Sequence, residues 1–269
     1  MGKARDFVFT HGALWERALY SYLFDDGSLD HVHQCLLCYK NADDGWGHGL
    51  EHDLKSPVSH PVALEYLLGV IRDFDLPVGD LLDGTPQWLE QQQAADGSLR
   101  NPDNLADYPI APWWKEWGGQ KQPDSIVGNL TKLGLVTPKL TETTRPWVKA
   151  NHTLESIRAN EWLFMAYHAF DYFMNVDGFP EERAATIENI VTCAEKAPEK
   201  QSYVLFRFAP KPDSVIAQAV SDAVIQRNLD SLQSSQRDDG GWSDEHDMLV
   251  WQPMVTIQVL YTLKQYGRL

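Results

Sequence analysis

The 269-residue sequence predicts an all-α protein: one α/α-toroid domain, residues 1–269, built from repeated helical hairpins with a Pro/Trp-rich loop excursion. Three observations predict it. Apolar residues recur at steps of three and four along much of the chain, giving each segment one stripe to bury. A short Asp-Gly turn keeps returning, at Asp43-Asp44-Gly45-Trp46, Asp96-Gly97-Ser98, Asp177-Gly178-Phe179 and Asp238-Asp239-Gly240-Gly241-Trp242. Alternating apolar and polar runs, the mark of half-buried strands, are scarce. A helix pair joined by such a turn cannot bury its own apolar face, so neighbours must stack, and closing the stack around a central cavity gives the toroid.

Each turn has a local rationale. Gly takes the positive φ that ends a helix, the preceding Asp bonds back to free amides, and the aromatic that follows covers the helix end. After Pro61 the set Val62, Ala63, Tyr66, Leu67, Val70, Ile71 and Phe74 marks one helix. From Asn101 to Pro146 the pattern changes: Pro102, Pro109, Pro112, Pro123, Pro138 and Pro146 surround Trp113, Trp114 and Trp117. Prolines at that density interrupt long helices, and aromatics in a mere linker would stay exposed at a cost. An ordered excursion over one mouth of the toroid is therefore expected. Helical spacing resumes with Ile157, Leu163, Ala166, Tyr167, Phe170 and Phe173. It returns with Val215, Ile216, Ala219, Val220, Ala223 and Val224, and again with Ile257, Leu260, Leu263 and Tyr266. Tyr203–Phe208 is the one strand candidate, kept short by Pro198, Pro210 and Pro212.

With 23 Lys and Arg against 38 Asp and Glu, a formal charge of −15, the chain is ill suited to nucleic acid or an anionic membrane. No apolar stretch reaches the roughly 18 residues needed to span a bilayer. The N-terminus lacks the apolar core of a signal peptide. Three Cys, at 35, 38 and 193, cannot pair completely, which suits a reducing compartment. A cytoplasmic protein with a small-molecule substrate is expected.

The densest chemistry is Trp46, His48, Glu51, His52, Asp53 and His60, where Gly45, Gly47 and Gly49 let the backbone bend. His48, Glu51 and Asp53 are the expected catalytic groups, because imidazole shuttles protons near neutral pH and a neighbouring carboxylate orients it. Trp46 would form a wall, with His52 and His60 beside the substrate. The bland alternative is that these groups cap helices and tie down a long turn. Trp113, Trp114 and Trp117, with Trp147, Trp162 and Trp251, suit an apolar or sugar-like ligand, or simply fill the core. Asp244, Glu245, His246 and Asp247 follow the last turn as Glu51, His52 and Asp53 follow the first, either as a second acidic site at the same mouth or as a solvated loop. Arg158 and Arg207 are scattered cations. No metal and no cofactor are expected: ligand spacing in a Gly-rich loop is no signature, and Cys35 and Cys38, following His31, read as core on a Leu-rich helix. Nucleophile-elbow, phosphate-loop and dinucleotide motifs are missing from the sequence.

Gln236-Arg237-Asp238-Asp239-Gly240-Gly241-Trp242 resembles the Gln-Trp (QW) motif of terpenoid cyclases and protein prenyltransferase β subunits, and Gln93-Ala94-Ala95-Asp96-Gly97 resembles a degenerate copy. The stretch from Asp44 to Asp53, followed by Ser59-His60-Pro61, is similar to bacterial prenyltransferase-like and squalene-cyclase-like proteins. The resemblance implies a toroid and a small terpenoid-cyclase-like enzyme, a lyase or isomerase, doing acid–base cyclisation or isomerisation on an apolar or cyclic substrate. The reaction motifs of that family are incomplete here. Asp73-Phe74-Asp75-Leu76 lacks the last carboxylate of the Asp-x-Asp-Asp acid, Asp25-Asp26-Gly27-Ser28-Leu29-Asp30 is a stretched Asp-Asp-x-x-Asp, and Asp-x-Cys does not occur. Two alternatives stay open: a carbohydrate-active α/α-toroid hydrolase, lyase or epimerase, and a non-catalytic binding protein.

Overall fold

A computed structural model describes residues 1–116 and 120–269. In chain order the helices are α1 (Gly2–His11), α2 (Leu14–Phe24), α3 (Leu29–Leu37), α4 (Pro61–Phe74), α5 (Thr85–Gln92), α6 (Asp124–Lys132), α7 (Pro138–Asn151), α8 (Leu154–Ala159), α9 (Tyr167–Phe173), α10 (Pro180–Lys196), α11 (Ser202–Phe208), α12 (Val215–Ala219), α13 (Asp222–Ser234) and α14 (Gln252–Gln265). Among the described residues the only strands are β1 (Leu99–Arg100) and β2 (Gln120–Lys121), an antiparallel pair with Leu99 opposite Lys121. The protein is all-α.

The chain forms two compact units. The first comprises residues 1–36, 161–164 and 190–269; the second comprises 37–160 and 165–189. In the first, α14 is the central element. Every residue from Gln252 to Leu263 is buried, as a helix wrapped by neighbours requires, and it packs on α1, α2, α11 and α13. In the second, α6 plays that part: Asp124 to Leu130 are all buried, and α4, α7 and α9 pack around it. A Cβ at Gly128 would collide with the carbonyl oxygen of Asp171, so α6 and α9 meet through a position with no side chain.

Three of the four Asp-Gly turns share one hydrogen-bond pattern. Asn41 N donates to Gly45 O (2.8 Å), Ala94 N to Ser98 O (2.8 Å) and Arg237 N to Gly241 O (3.0 Å). Inside each, an Asp Oδ1 accepts the amide two residues on, Asp43 from Gly45, Asp96 from Ser98 and Asp239 from Gly241, all at 3.0 Å. The left-handed position is filled by Gly97 (φ 89°) and Gly240 (φ 94°), and by Asp44 (φ 66°) in the first copy. The aromatic covers the helix end as expected in the last copy: Trp242 Nε1 donates to Leu232 O, near the end of α13, at 2.7 Å.

Four local expectations are corrected. Tyr203–Phe208 belongs to helix α11, not a strand; most of its residues are buried, and a short apolar run buried nearly all round has no period to read. The run from Ile157 to Phe173 is cut into α8, a 3-10 turn over Leu163–Ala166, and α9. The run from Val215 to Val224 breaks at Val220 and Ser221, after which α13 begins. The Pro-rich segment is a loop only in its first part. Pro123 stands just before α6 and Pro138 opens α7, whose Thr137 Oγ1 accepts Leu140 N at 3.2 Å. Prolines there start helices, where a missing N–H costs nothing; Pro146 alone lies inside one.

Candidate functional site

The chemistry of the second unit gathers around Asp124, the first residue of α6 and fully buried. A carboxylate removed from water must be hydrogen-bonded or charge-paired. Its Oδ1 accepts Ser125 N at 2.7 Å and His168 Nδ1 at 2.8 Å, while His152 Nε2 donates a short hydrogen bond to Oδ2. Burial alone would raise this carboxyl, but the His168 charge and the hydrogen bonds from His152 and His168 outweigh it and hold it well below the usual carboxylate range. Asp124 is therefore an anion clamped between two imidazoles.

Helix geometry makes the clamp. Gly128 lies one turn beyond Asp124 on α6, and Asp171 lies three residues beyond His168 on α9. The close approach at Gly128 thus brings the first turns of both helices together. His152 arrives from the other side as the residue that ends α7. Next to the clamp, Glu65 of α4 accepts Lys121 Nζ at 2.8 Å on Oε1 and Tyr167 OH at 3.3 Å on Oε2, and Ser125 Oγ also donates to it. Beneath it, Arg72 binds both Asp171 oxygens at 2.6 Å and Asp73 Oδ1 at 2.6 Å. Asn129 Nδ2 donates to Asp171 at 2.9 Å. Burial raises the Asp171 carboxyl, and the Arg72 guanidinium opposes that rise.

Two cavities adjoin this network. One, of about 200 Å³, is lined by His152 and His168 with Asn151, Ser156, Asn160, Thr186 and Asn189 among its polar walls. The other, about 420 Å³, is lined by Asp96, Ser98, Lys121, Pro146, Trp147 and Ala150. Gln122 and Asn151 border both. His152 keeps 16% of its side chain exposed while its partner Asp124 keeps none. The centre therefore pairs a solvent-facing imidazole with a dry carboxylate, an arrangement suited to general acid–base chemistry. Glu65, Asp124 and His168 also bring potential metal-ligand atoms within 4.8 Å of one another. A cation there would have to displace the Lys121 ammonium from Glu65 and both imidazoles from Asp124, so the hydrogen-bonded network is the better fit to these residues.

The residues expected from the sequence to form the site lie elsewhere in this unit and in the other. His48 is exposed with φ 55°, its Nε2 paired with Asn41 Oδ1 at 2.8 Å. Glu51 is buried and its Oε2 accepts Asp53 N at 2.8 Å; burial first, and the Asp53 charge second, push its carboxyl well up. Asp53 Oδ2 accepts Trp113 Nε1 at 2.9 Å. His52 is buried, its ring 5.8 Å from that of Tyr66. His60 is wholly buried as the cap of α4, its Nδ1 accepting Ala63 N at 3.2 Å, and burial lowers it to about 4. Trp46 is fully buried and donates to Thr85 Oγ1 at 3.1 Å. Trp113 is part exposed, Trp114 half-buried, and Trp117 lies outside the described residues. Trp162 and Trp251 belong to the first unit, the former exposed and 5.3 Å from the Phe164 ring, the latter half-buried at the start of α14. The structure thus brings Glu51, Asp53 and Trp113 together, and the loop around them borders neither cavity.

Sequence reasoning passed over Glu65, Lys121, Asp124, His152 and His168. For three of them the signal was a polar residue set into an apolar stripe: Glu65 between Leu64 and Tyr66, Asp124 just before Ile126 and Val127, His168 between Tyr167 and Phe170; Lys121 and His152 stand among polar neighbours and gave none. Such a residue is buried only with partners, and the partners lie far away in sequence. Comparison with protein-family models gives no match for this chain, and comparison with the curated proteins gives none either.

Proposed function

We propose that the protein is an acid–base enzyme acting on a small hydroxylated molecule, with His152 exchanging a proton with the substrate and Asp124 and His168 positioning it. One observation carries this reading: an imidazole on a cavity wall is tied through Nε2 to a buried, ionised carboxylate. That bond fixes the tautomer and leaves Nδ1 as the base, while Asp124 stabilises the imidazolium that forms. Gln122 Oε1 and His168 Nε2 line this hollow buried and without a hydrogen-bond partner among the described residues; they support a polar substrate, the carbohydrate-type alternative, over an apolar one, because against a hydrocarbon they would stay unpaired at a cost in binding energy. The α/α toroid is proposed as the architecture that carries this centre, supported by the three like-bonded turns and by the resemblance to the Gln-Trp motif.

Proton abstraction leaves an isotopic trace even without net turnover. Incubation in D₂O with a panel of aldoses, ketoses and uronic acids, read by mass spectrometry, is expected to show deuterium entering a C–H position of one of them. His152→Gln should slow that exchange by roughly 10²–10⁴-fold with an unchanged circular dichroism spectrum. Exchange that survives in the variant, or no exchange with any member, contradicts the proposal.

A further inference from the structure

We propose that the larger cavity is a second subsite of the His152 centre, shaped for a ring laid against Trp147, so that the ligand is a neutral two-ring saccharide. The inference rests on the proton-transfer reading given above. Gln122 and Asn151 border both hollows, so a molecule seated in one has its linkage against these amides as it enters the other. Gln122 Oε1 is buried with no hydrogen-bond partner among the described residues. An orphaned buried acceptor of this kind is satisfied when a ligand hydroxyl donates to it. His168 Nε2, in the wall of the smaller hollow, is buried and unpartnered in the same sense.

Trp147 ties the two halves. Its indole lines the larger cavity, and its ring centre lies 5.9 Å from that of His152, edge to face. A flat indole beside a polar amide is the surface on which a pyranose ring packs its C–H face while its hydroxyls bond sideways. Asp96 and Ser98 also line this cavity; their turn can lie against α7 because Gly97 has no side chain, where a Cβ would press on Thr143 O and the Trp147 Cβ. Asp96 Oδ1 is taken by Ser98, leaving the other carboxylate oxygen to accept a hydroxyl. Among the described residues, the only cation bordering this cavity is Lys121, and it is already paired with Glu65. An anionic ligand would thus meet Asp96 without compensation, so a neutral one is selected. The 420 Å³ volume falls within the range of small-ligand sites, and the 200 Å³ hollow beside it falls below that range.

Calorimetric titration with matched probes tests this: glucose against maltose and cellobiose, galactose against lactose, mannose against mannobiose. For one pair the disaccharide is expected to bind at least tenfold tighter than its monosaccharide. Trp147→Leu and, separately, Ala150→Phe, which fills the larger hollow from the exposed side of α7, should each bring that ratio towards one. Equal affinity for both members of every pair, a ratio untouched by Ala150→Phe, or no binding by any probe overturns the inference. The two readings fail separately. Deuterium exchange that depends on His152 but shows no disaccharide advantage removes only the second subsite. A disaccharide advantage erased by Ala150→Phe, without exchange, removes only the proton chemistry.

Discussion

His60 does its work by being neutral. It caps α4 through Nδ1 and lies wholly out of water, and burial brings it from the ordinary histidine value down to about 4. A base whose folded value is depressed gives stability that is complete above the unfolded value and lost as the pH falls towards the folded one. The window is therefore pH 6.5 down to about 4, and the loss is about 3 kcal/mol. Urea unfolding across that range should show the slope in the wild type and a shallower one in His60→Asn, which keeps a capping acceptor but has no proton to take up. Equal slopes would contradict the assignment. The sequence displayed His60 clearly, beside the helix-starting Pro61, yet left its role open between cap and ligand. Only its burial and its bond to Ala63 decide for the cap. Glu51 is a similar case: its nearest partner is a backbone amide two residues away.

At the scale of elements, the contact that positions the centre is α6 against α9. Gly128 admits the backbone of Asp171, and Asp124 and His168 lie within a turn of that crossing. Gly128→Ala must push the helices apart, and the expected cost is about 2–3 kcal/mol in urea unfolding, accompanied by loss of the deuterium exchange proposed for His152. A variant as stable and active as the wild type would show that the crossing is looser than described. The stripe of α4 and the starts of α6 and α7 were readable, because period and proline position are local facts. The breaks at Asn160 and Ser221 were not, since apolar spacing continues across them. Nor was the helix at Ser202–Phe208, seven residues whose only less buried positions are Tyr203 and Arg207, too short a run to show a period.

For the molecule as a whole, the recurring turn was the most legible feature and the assignment to two compact units the least. Three copies of the turn carry matching hydrogen bonds, because Asp two residues before an amide and a left-handed residue between them encode the geometry locally. The Asp124 network has no such code. It draws on α4, β2, α6, α7 and α9, with Glu65 and His168 separated by more than a hundred residues of chain, and each member looks ordinary until the others are present. What distinguishes this interior is one ionised carboxylate between two imidazoles. Long-range proton–nitrogen correlation spectra of ¹⁵N-histidine-labelled protein at neutral pH observe it directly. His152 Nε2 and His168 Nδ1 should each carry a proton hydrogen-bonded to Asp124, and Asp124→Asn should move both sets of resonances while leaving His48 in place. Two rings with the tautomer mixture of free histidine, indifferent to that substitution, would contradict the account.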